Sequence, residues 1–325
     1  MYSEEDLASA VKEGVLTQEA ANAFRLHVAR TRQLPAVDEE YVRLLSGFND
    51  IFVVIACALL LVSVGWISAR WAPWSGGLAL SLAAWALAEF FTRRRRMALP
   101  SIVLLLAFVG GAFAAGLSFK GNFVLASALA GAAAWLHWMR FKVPMTVAAG
   151  VASVVCFVVA LILSRDEMKG LAAPIMFIAG LAVFALAMRW DASDVRRQTR
   201  RSDVAFWLHL LAAPLLVHPV FSALRIFDGD TRLLQALCVV GLYVLISLTS
   251  LAIDRRALMV SALAYVLYSF SALLDQFGLV SLSFAITALA IGAALLLLSA
   301  FWHASRVLVL RLCPTGIRRH LPPIQ

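Results

Sequence analysis

Long apolar stretches, separated by short polar segments, make up most of the chain after residue 50. An α-helix needs about 17–25 apolar residues to cross the hydrocarbon core of a bilayer, and these stretches have that length. A continuous apolar run of this length predicts a membrane-spanning helix. Ten runs are predicted to span the membrane, at residues 51–69, 74–91, 98–118, 122–139, 143–163, 171–189, 204–220, 233–253, 257–275 and 280–302.

The first 48 residues have a polar pattern that predicts a helical hairpin and a linker. Ser3, followed by three acids, is a typical helix N-cap; Gly14 ends that helix, and Thr17 caps a second helix that runs to about Arg32. The apolar positions of the two helices form one small seam, made of Leu7, Ala10, Val11, Leu16, Ala20, Phe24 and Val28. Because so small a seam rarely holds a fold by itself, residues 3–32 are predicted to pack on a partner protein, on a second copy or on the cytoplasmic face.

The pattern as a whole predicts an all-α fold, a polytopic transmembrane bundle of about ten spans. The hairpin and linker occupy residues 1–48, the ten-helix domain residues 49–303, and a basic cytoplasmic tail residues 304–325. Composition agrees, since 62% of residues are hydrophobic, 14% are charged and the mean hydropathy is +0.87. These values exclude soluble globular, disordered and collagen-like classes.

The distribution of charge predicts the orientation of the spans. With the N-terminus in the cytoplasm, 22 of the 28 Lys and Arg fall on the cytoplasmic side, in strict alternation with basic-poor loops. This asymmetry is typical of the positive-inside rule, so both termini are predicted to be cytoplasmic. The net charge of +9 is spread over short loops, which argues against nucleic acid as a partner.

Tryptophan placement supports the same boundaries, because indole prefers the headgroup level of a bilayer. Only Trp85 lies clearly inside a predicted span. The other eight lie near span ends, with Trp66, Trp71 and Trp74 on the outer side and Trp135, Trp138, Trp190, Trp207 and Trp302 on the inner side.

Candidate site residues concentrate in the seventh run. His209 lies roughly 7 to 8 Å inside the predicted inner edge, at 1.5 Å of rise per residue. Pro214 removes a backbone hydrogen bond near the middle of the membrane, which is typical of a broken helix at a proton or substrate site. The alternative is a hydrogen-bonded histidine beside an ordinary proline kink. His218 lies about 180° from His209 on an ideal helix, so the two do not form a ligand pair on one face.

Other polar residues favour structural roles. Glu89 stands four residues before Arg93, a spacing that favours an ion pair on a helix. Asp275 closes the ninth run on the outer side, where it would line an outer vestibule or be a solvated helix end. His137 and His303 lie near the inner edge, where a polar tip costs little.

Small residues at helical spacing predict sites where helices approach closely. The pairs are Ala112 and Gly116, Ser127 and Gly131, Ala130 and Ala134, and Ala288 and Gly292.

The organisation of the chain resembles that of bacterial predicted membrane protein families of unknown function. The resemblance rests on the hairpin pattern Glu13-Gly14-Val15-Leu16-Thr17-Gln18-Glu19-Ala20, followed by a linker and many apolar spans. It implies an inner-membrane protein and brings no catalytic residue, substrate or cofactor with it.

Three functions are compatible with these patterns. The first is a non-enzymatic membrane protein whose hairpin mediates interaction or oligomerisation. The second is a secondary transporter of a small molecule, because ten spans divide into five plus five, although Pro214 has no counterpart in the second span. The third, an intramembrane enzyme, ranks last because the sequence has no nucleotide, metalloprotease or serine-hydrolase motif. The four cysteines have no CxxC spacing, so neither a metal nor a cofactor is predicted.

Overall fold

A computed structural model describes most of the chain: residues 4–32, 48–194, 199–223, 233–255, 259, 263, 266–267, 283–312 and 321. Every secondary-structure element in these residues is helical. The chain divides into an N-terminal unit, which contains the first two helices, and a larger unit, which contains the others.

Besides residues 259, 263 and 266–267, which are also helical, the structure gives the bounds of twelve α-helices in the described residues. In chain order they are α1 (Glu4–Lys12), α2 (Gln18–Arg32), α3 (Phe48–Ala69), α4 (Pro73–Ala88), α5 (Ala98–Leu117), α6 (Phe123–Phe141), α7 (Met145–Leu163), α8 (Ala172–Ala192), α9 (Arg200–Ala223), α10 (Leu233–Ile253), α11 (Ser283–Ala300) and α12 (Trp302–Leu312). A π-helical turn, Glu89–Arg94, extends α4, and a 3-10 helix, Asp166–Leu171, precedes α8.

Six of these helices are long and apolar enough to cross a membrane: α3, α4 with its π-helical extension, α5, α7, α8 and α9. They match six of the ten predicted runs to within four residues at either end. Their lengths and composition are those of a helical membrane protein. The runs at 122–139, 233–253 and 280–302 coincide with α6, α10 and α11, whereas most of 257–275, including Asp275, lies outside the described residues.

Helices α4 and α5 pack at backbone distance because glycines face each other across the interface. A Cβ added to Gly77 would lie 2.5 Å from the Gly111 carbonyl oxygen, and one added to Gly111 would lie 2.6 Å from the Gly77 carbonyl oxygen. The hydroxyl of Ser81 donates to the Phe108 carbonyl at 2.8 Å. Such contacts need small residues on both helices.

The predicted small-residue pairs have different outcomes. Gly116 lies against α6, where an added Cβ would be 2.6 Å from the Ala126 Cα, and this prediction is confirmed. Gly131 makes only an ordinary contact, 3.7 Å from the Ser153 Cβ. No described atom lies within 4 Å of a Cβ added to Gly292, and most of the run at 257–275 lies outside the described residues, so the pair of Ala288 and Gly292 stays a prediction.

Helices α7, α8 and α9 share a buried core made of Ala148, Val183, Ala187, Val204, Leu208 and Ala212. Gly180 of α8 lies against the α9 backbone, and an added Cβ would be 2.9 Å from the Leu215 carbonyl carbon. This contact brings α8 close to α9 at the position that follows Pro214.

In the N-terminal unit, the local signals of the two helices act as predicted. Gly14 has a φ of +74°, which favours glycine, and the Thr17 hydroxyl accepts the Ala20 N–H at 3.1 Å. The seam prediction is wrong at two positions, since Ala20 and Phe24 are exposed, and Ala21 is buried instead. One residue turns the face of a helix by about 100°, so the exact start of α2 decides which alanine is buried.

The segment predicted as a basic tail begins with α12, which packs against α10. Trp302, Arg306 and Leu310, spaced four residues apart, are all buried. Because one member of this column is an arginine, its hydrophobic pattern could not be recognised in the sequence.

Candidate functional site

A buried cluster of ionisable side chains joins the ends of α8, α9 and α10. At its centre is Asp191, in the last turn of α8. Its Oδ1 accepts a hydrogen bond from Arg255 Nη2 at 2.5 Å, and its Oδ2 accepts one from Arg255 Nε at 3.2 Å. This bidentate pairing of guanidinium and carboxylate has the geometry of a strong charge-assisted contact.

The second partner of Asp191 is His209 of α9. The imidazole Nε2 lies 2.9 Å from Asp191 Oδ2, and the His209 side chain is fully buried. The ring of Phe184, from α8, packs on the imidazole with 5.4 Å between ring centroids. His209 follows Ser202 by seven residues, which is about two helical turns, so both side chains face the same neighbour.

Arg255 reaches this cluster from just beyond the end of α10. Its Nη2 also donates to the Ser202 carbonyl at 3.2 Å and to the Ser202 hydroxyl at 3.1 Å. Only 1% of the residue is exposed. Its backbone is fixed by the Ser250 hydroxyl, which donates to the Arg255 carbonyl. The guanidinium therefore connects α8 and α9 to α10.

We call Asp191, Ser202, His209 and Arg255 the α8–α10 clamp. A guanidinium cannot lose its proton in a protein, so a buried arginine requires a carboxylate or several acceptors. The clamp supplies both, and the pair of Asp191 and Arg255 carries no net charge. The arrangement can hold three helices together.

A second buried cluster adjoins the clamp along the backbone. Asp254 precedes Arg255 and has a φ of +58°, a conformation that aspartate tolerates better than most residues. Its Oδ1 accepts the Trp302 indole N–H at 2.8 Å, and its Oδ2 lies 3.5 Å from Arg306 Nη1. Two consecutive residues therefore contact different helices, Arg255 towards α8 and α9 and Asp254 towards α12.

A third cluster connects α4 to α6 and is partly exposed. The predicted pair of Glu89 and Arg93 is confirmed, with 3.3 Å between Oε2 and Nη1. The sequence did not indicate the closer partner, Arg140, whose Nε and Nη2 donate to the two Glu89 oxygens at 2.6 and 3.0 Å.

His137 differs from its prediction as a polar tip near the membrane edge. The side chain is fully buried, and its Nδ1 lies 3.1 Å from the Thr146 hydroxyl of α7. The rings of Phe141, Phe108 and Trp85 surround it, with centroids 4.6, 5.9 and 6.4 Å away. The residue lies in the core between α4, α5, α6 and α7.

The structure separates the residues predicted for one site. His209 is buried in the clamp, whereas His218 is exposed, as expected for opposite sides of one helix. Pro214 is exposed and does not break α9, which continues through it and through Pro219. Of the two alternatives, the broken helix is therefore wrong, and the hydrogen bond of His209 to Asp191 of the neighbouring α8 agrees with the other. The proline removes one N–H, and the remaining hydrogen bonds and the packing of α8 hold the helix. Asp275 lies outside the described residues.

Sequence reasoning missed Asp191 and Arg255. Arg255 is among the 22 basic residues that the positive-inside rule places in cytoplasmic segments, because an arginine after an apolar run usually has that role. The signal that could have identified the pair is an acid two residues after the sixth run, on the same predicted side as Arg255. Within the described part of the chain, no group of three or more His, Cys, Asp or Glu side chains is arranged to hold a metal ion.

No known protein family, curated protein sequence or solved structure matches the chain.

Proposed function

We propose that the chain is a multi-span protein of the bacterial inner membrane, non-enzymatic, with both termini in the cytoplasm and an interaction hairpin at residues 3–32. The observation that carries the non-enzymatic role is the α8–α10 clamp. Two of its ionisable groups lie at helix ends and His209 lies inside α9, and all three are bonded to one another across three helices. Buried charges that are paired and hydrogen-bonded in this way can serve to fix how helices pack.

Two ion pairs support the proposal that more than six helices cross the membrane. The end of α4 contacts the end of α6 through Glu89 and Arg140, and α5 lies between them in the chain. If α5 leads the chain across the bilayer, α6 must lead it back. In the same way, Asp191 and Arg255 join the ends of α8 and α10, with α9 between them. This reasoning adds α6 and α10 to the spans and agrees with the proposed total of about ten.

Support for an interaction hairpin comes from the surface of α1 and α2. Of the hydrophobic side chains described in this unit, only Leu7 and Ala21 are buried. Val15 is 73% exposed and Phe24 is 41% exposed. A unit of this size with so little core needs an additional contact for stability, and these apolar side chains provide a surface for it.

The hairpin proposal can be tested by photo-crosslinking in intact cells. A photoreactive residue placed at position 24 of the full chain is expected to give a discrete product with a partner protein or a second copy. Val15→Glu should abolish the product because it places a charge on the apolar surface. Gln18→Glu, which adds the same charge at a polar exposed position, should retain it. If the protein that carries only the photoreactive residue at position 24 gives no crosslinked product, the proposal is contradicted.

Secondary transport of a small molecule is the second candidate function. The specific observation in its favour is His209, a protonatable side chain buried in an apolar helix beside Asp191. Buried ionisable pairs of this kind occur in the proton pathways of carriers. In this proposal the five-plus-five division of ten spans places the substrate near His209 and Pro214, with His218 and Asp275 nearer the outer side.

Thermal unfolding with a metabolite and drug panel tests the transporter proposal. A ligand at about 100 times its Kd stabilises the folded protein by about 2.7 kcal/mol. For a carrier, the shift should disappear in His209→Ala and persist in Met139→Ala, whose parent side chain lies in α6, outside the proposed site, and is 47% exposed. A panel that gives no shift with the parent protein would contradict transport of those compounds.

A further inference from the structure

Six basic side chains form a cluster where α4 and α6 end. We call it the basic cap; all six side chains are exposed, and they are Arg93, Arg94, Arg95, Arg96, Arg140 and Lys142. Glu89 is the carboxylate bonded within it. Six bases and one acid give the cap a formal charge of +5.

Tertiary contacts join the part of the basic cap that follows α4 to the part at the end of α6. Arg140 of α6 makes two hydrogen bonds to Glu89, at 2.6 and 3.0 Å. One helical turn before Glu89, the ring of Trp85 from α4 packs on the ring of Phe141 from α6, with 5.1 Å between centroids. The ends of α4 and α6 therefore form one fixed surface, although 51 residues separate Glu89 from Arg140 in the chain.

Local backbone geometry keeps the basic residues at this end. The π-helical turn Glu89–Arg94 closes α4, and Arg96 then has a φ of +52°, which turns the chain towards α5. Lys142 has the corresponding role after α6, with a φ of +55°. Arg96 and Lys142 each adopt the left-handed conformation where a helix ends, and the charged side chain of each is exposed there.

Aromatic side chains position two of the cations. The Arg95 guanidinium lies 5.5 Å from the centroid of the Phe90 ring, and Lys142 Nζ lies 5.1 Å from the Trp138 ring. Neither cation, nor Arg94 or Arg96, forms an ion pair with a described residue. Four positive charges therefore remain available to an external anion.

We propose that the basic cap binds the phosphodiester headgroups of anionic phospholipids. The inference rests on the proposal that the chain spans a bilayer. Exposed apolar rings accompany the cap: Phe90, which contacts Arg95, is 42% exposed, and Trp135, which stands five residues before Arg140 in α6, is 62% exposed. A soluble phosphate would leave these rings in water, whereas a lipid covers them with acyl chain while its phosphate meets the arginines. The guanidinium fork matches a phosphate in shape and charge.

The test measures lipid preference in the purified full chain. The protein is placed in nanodiscs of phosphatidylcholine with increasing phosphatidylglycerol, and retention of phosphatidylglycerol is measured by native mass spectrometry. The test variant replaces Arg94, Arg95 and Arg96 by Gln. Each surface cation contributes about fivefold to anionic-lipid binding, so the loss of three should weaken binding on the order of 100-fold.

Two matched variants separate charge from other effects. A triple Gln variant at Arg70, Lys120 and Arg165, which are also exposed, removes the same charge elsewhere and should leave retention unchanged. A triple Lys variant at positions 94, 95 and 96 keeps the charge and should retain most of the binding. Equal loss in both Gln variants, or no loss in either, would overturn the proposal.

Competition with inorganic phosphate distinguishes a lipid site from a site for soluble anions. If millimolar phosphate displaces phosphatidylglycerol from the parent protein, the cap is a soluble-anion site and the lipid proposal is wrong. Lack of displacement supports a headgroup held together with its acyl chains. Failure of the protein to enter nanodiscs would contradict the membrane proposal itself, whereas entry without lipid preference would contradict only the role of the basic cap.

Discussion

The pair of Asp191 and Arg255 should be strongly coupled energetically, and a double-mutant cycle can measure this coupling. The two side chains share a bidentate contact in a buried environment. Removing one member of a buried ion pair typically costs about 3–5 kcal/mol, because the other charge is left uncompensated. The cycle consists of Asp191→Asn, Arg255→Gln and the double variant.

The two single variants should differ in cost. In Asp191→Asn, the guanidinium keeps its charge and retains Ser202 as an acceptor. In Arg255→Gln, the carboxylate retains His209, which can take up a proton and replace the missing cation. We therefore expect Asp191→Asn to lower the free energy of unfolding by more than Arg255→Gln does. The double variant should cost about 1–3 kcal/mol less than the sum of the single variants.

The assay is unfolding of the purified protein in mild detergent by increasing fractions of a denaturing detergent, followed by circular dichroism. The control cycle is Glu89→Gln with Arg140→Gln. That pair also has two hydrogen bonds, at 2.6 and 3.0 Å, but its side chains are 33% and 39% exposed, so its coupling should be clearly smaller. If the double variant loses the sum of the two single-variant losses in unfolding free energy, to within about 0.5 kcal/mol, the two side chains are not coupled and the clamp is refuted.

Two further substitutions test helix packing. Gly180→Ala should destabilise the protein, because its Cβ would lie 2.9 Å from the Leu215 carbonyl carbon; Gly131→Ala, with 3.7 Å to its nearest neighbour, should be close to neutral in the same unfolding assay. Trp302→Phe removes the indole donor to the carboxylate that follows α10 and should cost about 1–3 kcal/mol. The corresponding change at Trp135, which is 62% exposed, should have little effect on unfolding.

The sequence predicted much of the helix layout, because span length is set by the bilayer and is visible in one dimension. It also predicted the contact of Glu89 with Arg93, which depends only on spacing along one helix. His209 was identified because a histidine inside an apolar run is rare enough to be noticed.

The partners of these residues could not be predicted, because they depend on which helices pack together. Asp191 and Arg255 are 64 residues apart, and each follows an apolar run in a position typical of a solvated end. The rule that places arginines in cytoplasmic loops assigned Arg255 to solvent, whereas the folded chain buries it against α8 and α9. At Pro214 the local rule predicted a break, but packing against α8 maintains the helix.

Cysteine accessibility in intact cells tests the proposed arrangement of spans most directly. The background replaces Cys57, Cys156, Cys238 and Cys313 by alanine, and single cysteines are introduced at positions 70, 94, 120, 142 and 165. A membrane-impermeant maleimide should label positions 70, 120 and 165 in intact spheroplasts, and positions 94 and 142 only after lysis. Labelling of positions 120 and 142 from the same side would contradict the account, because α6 would then not cross the membrane.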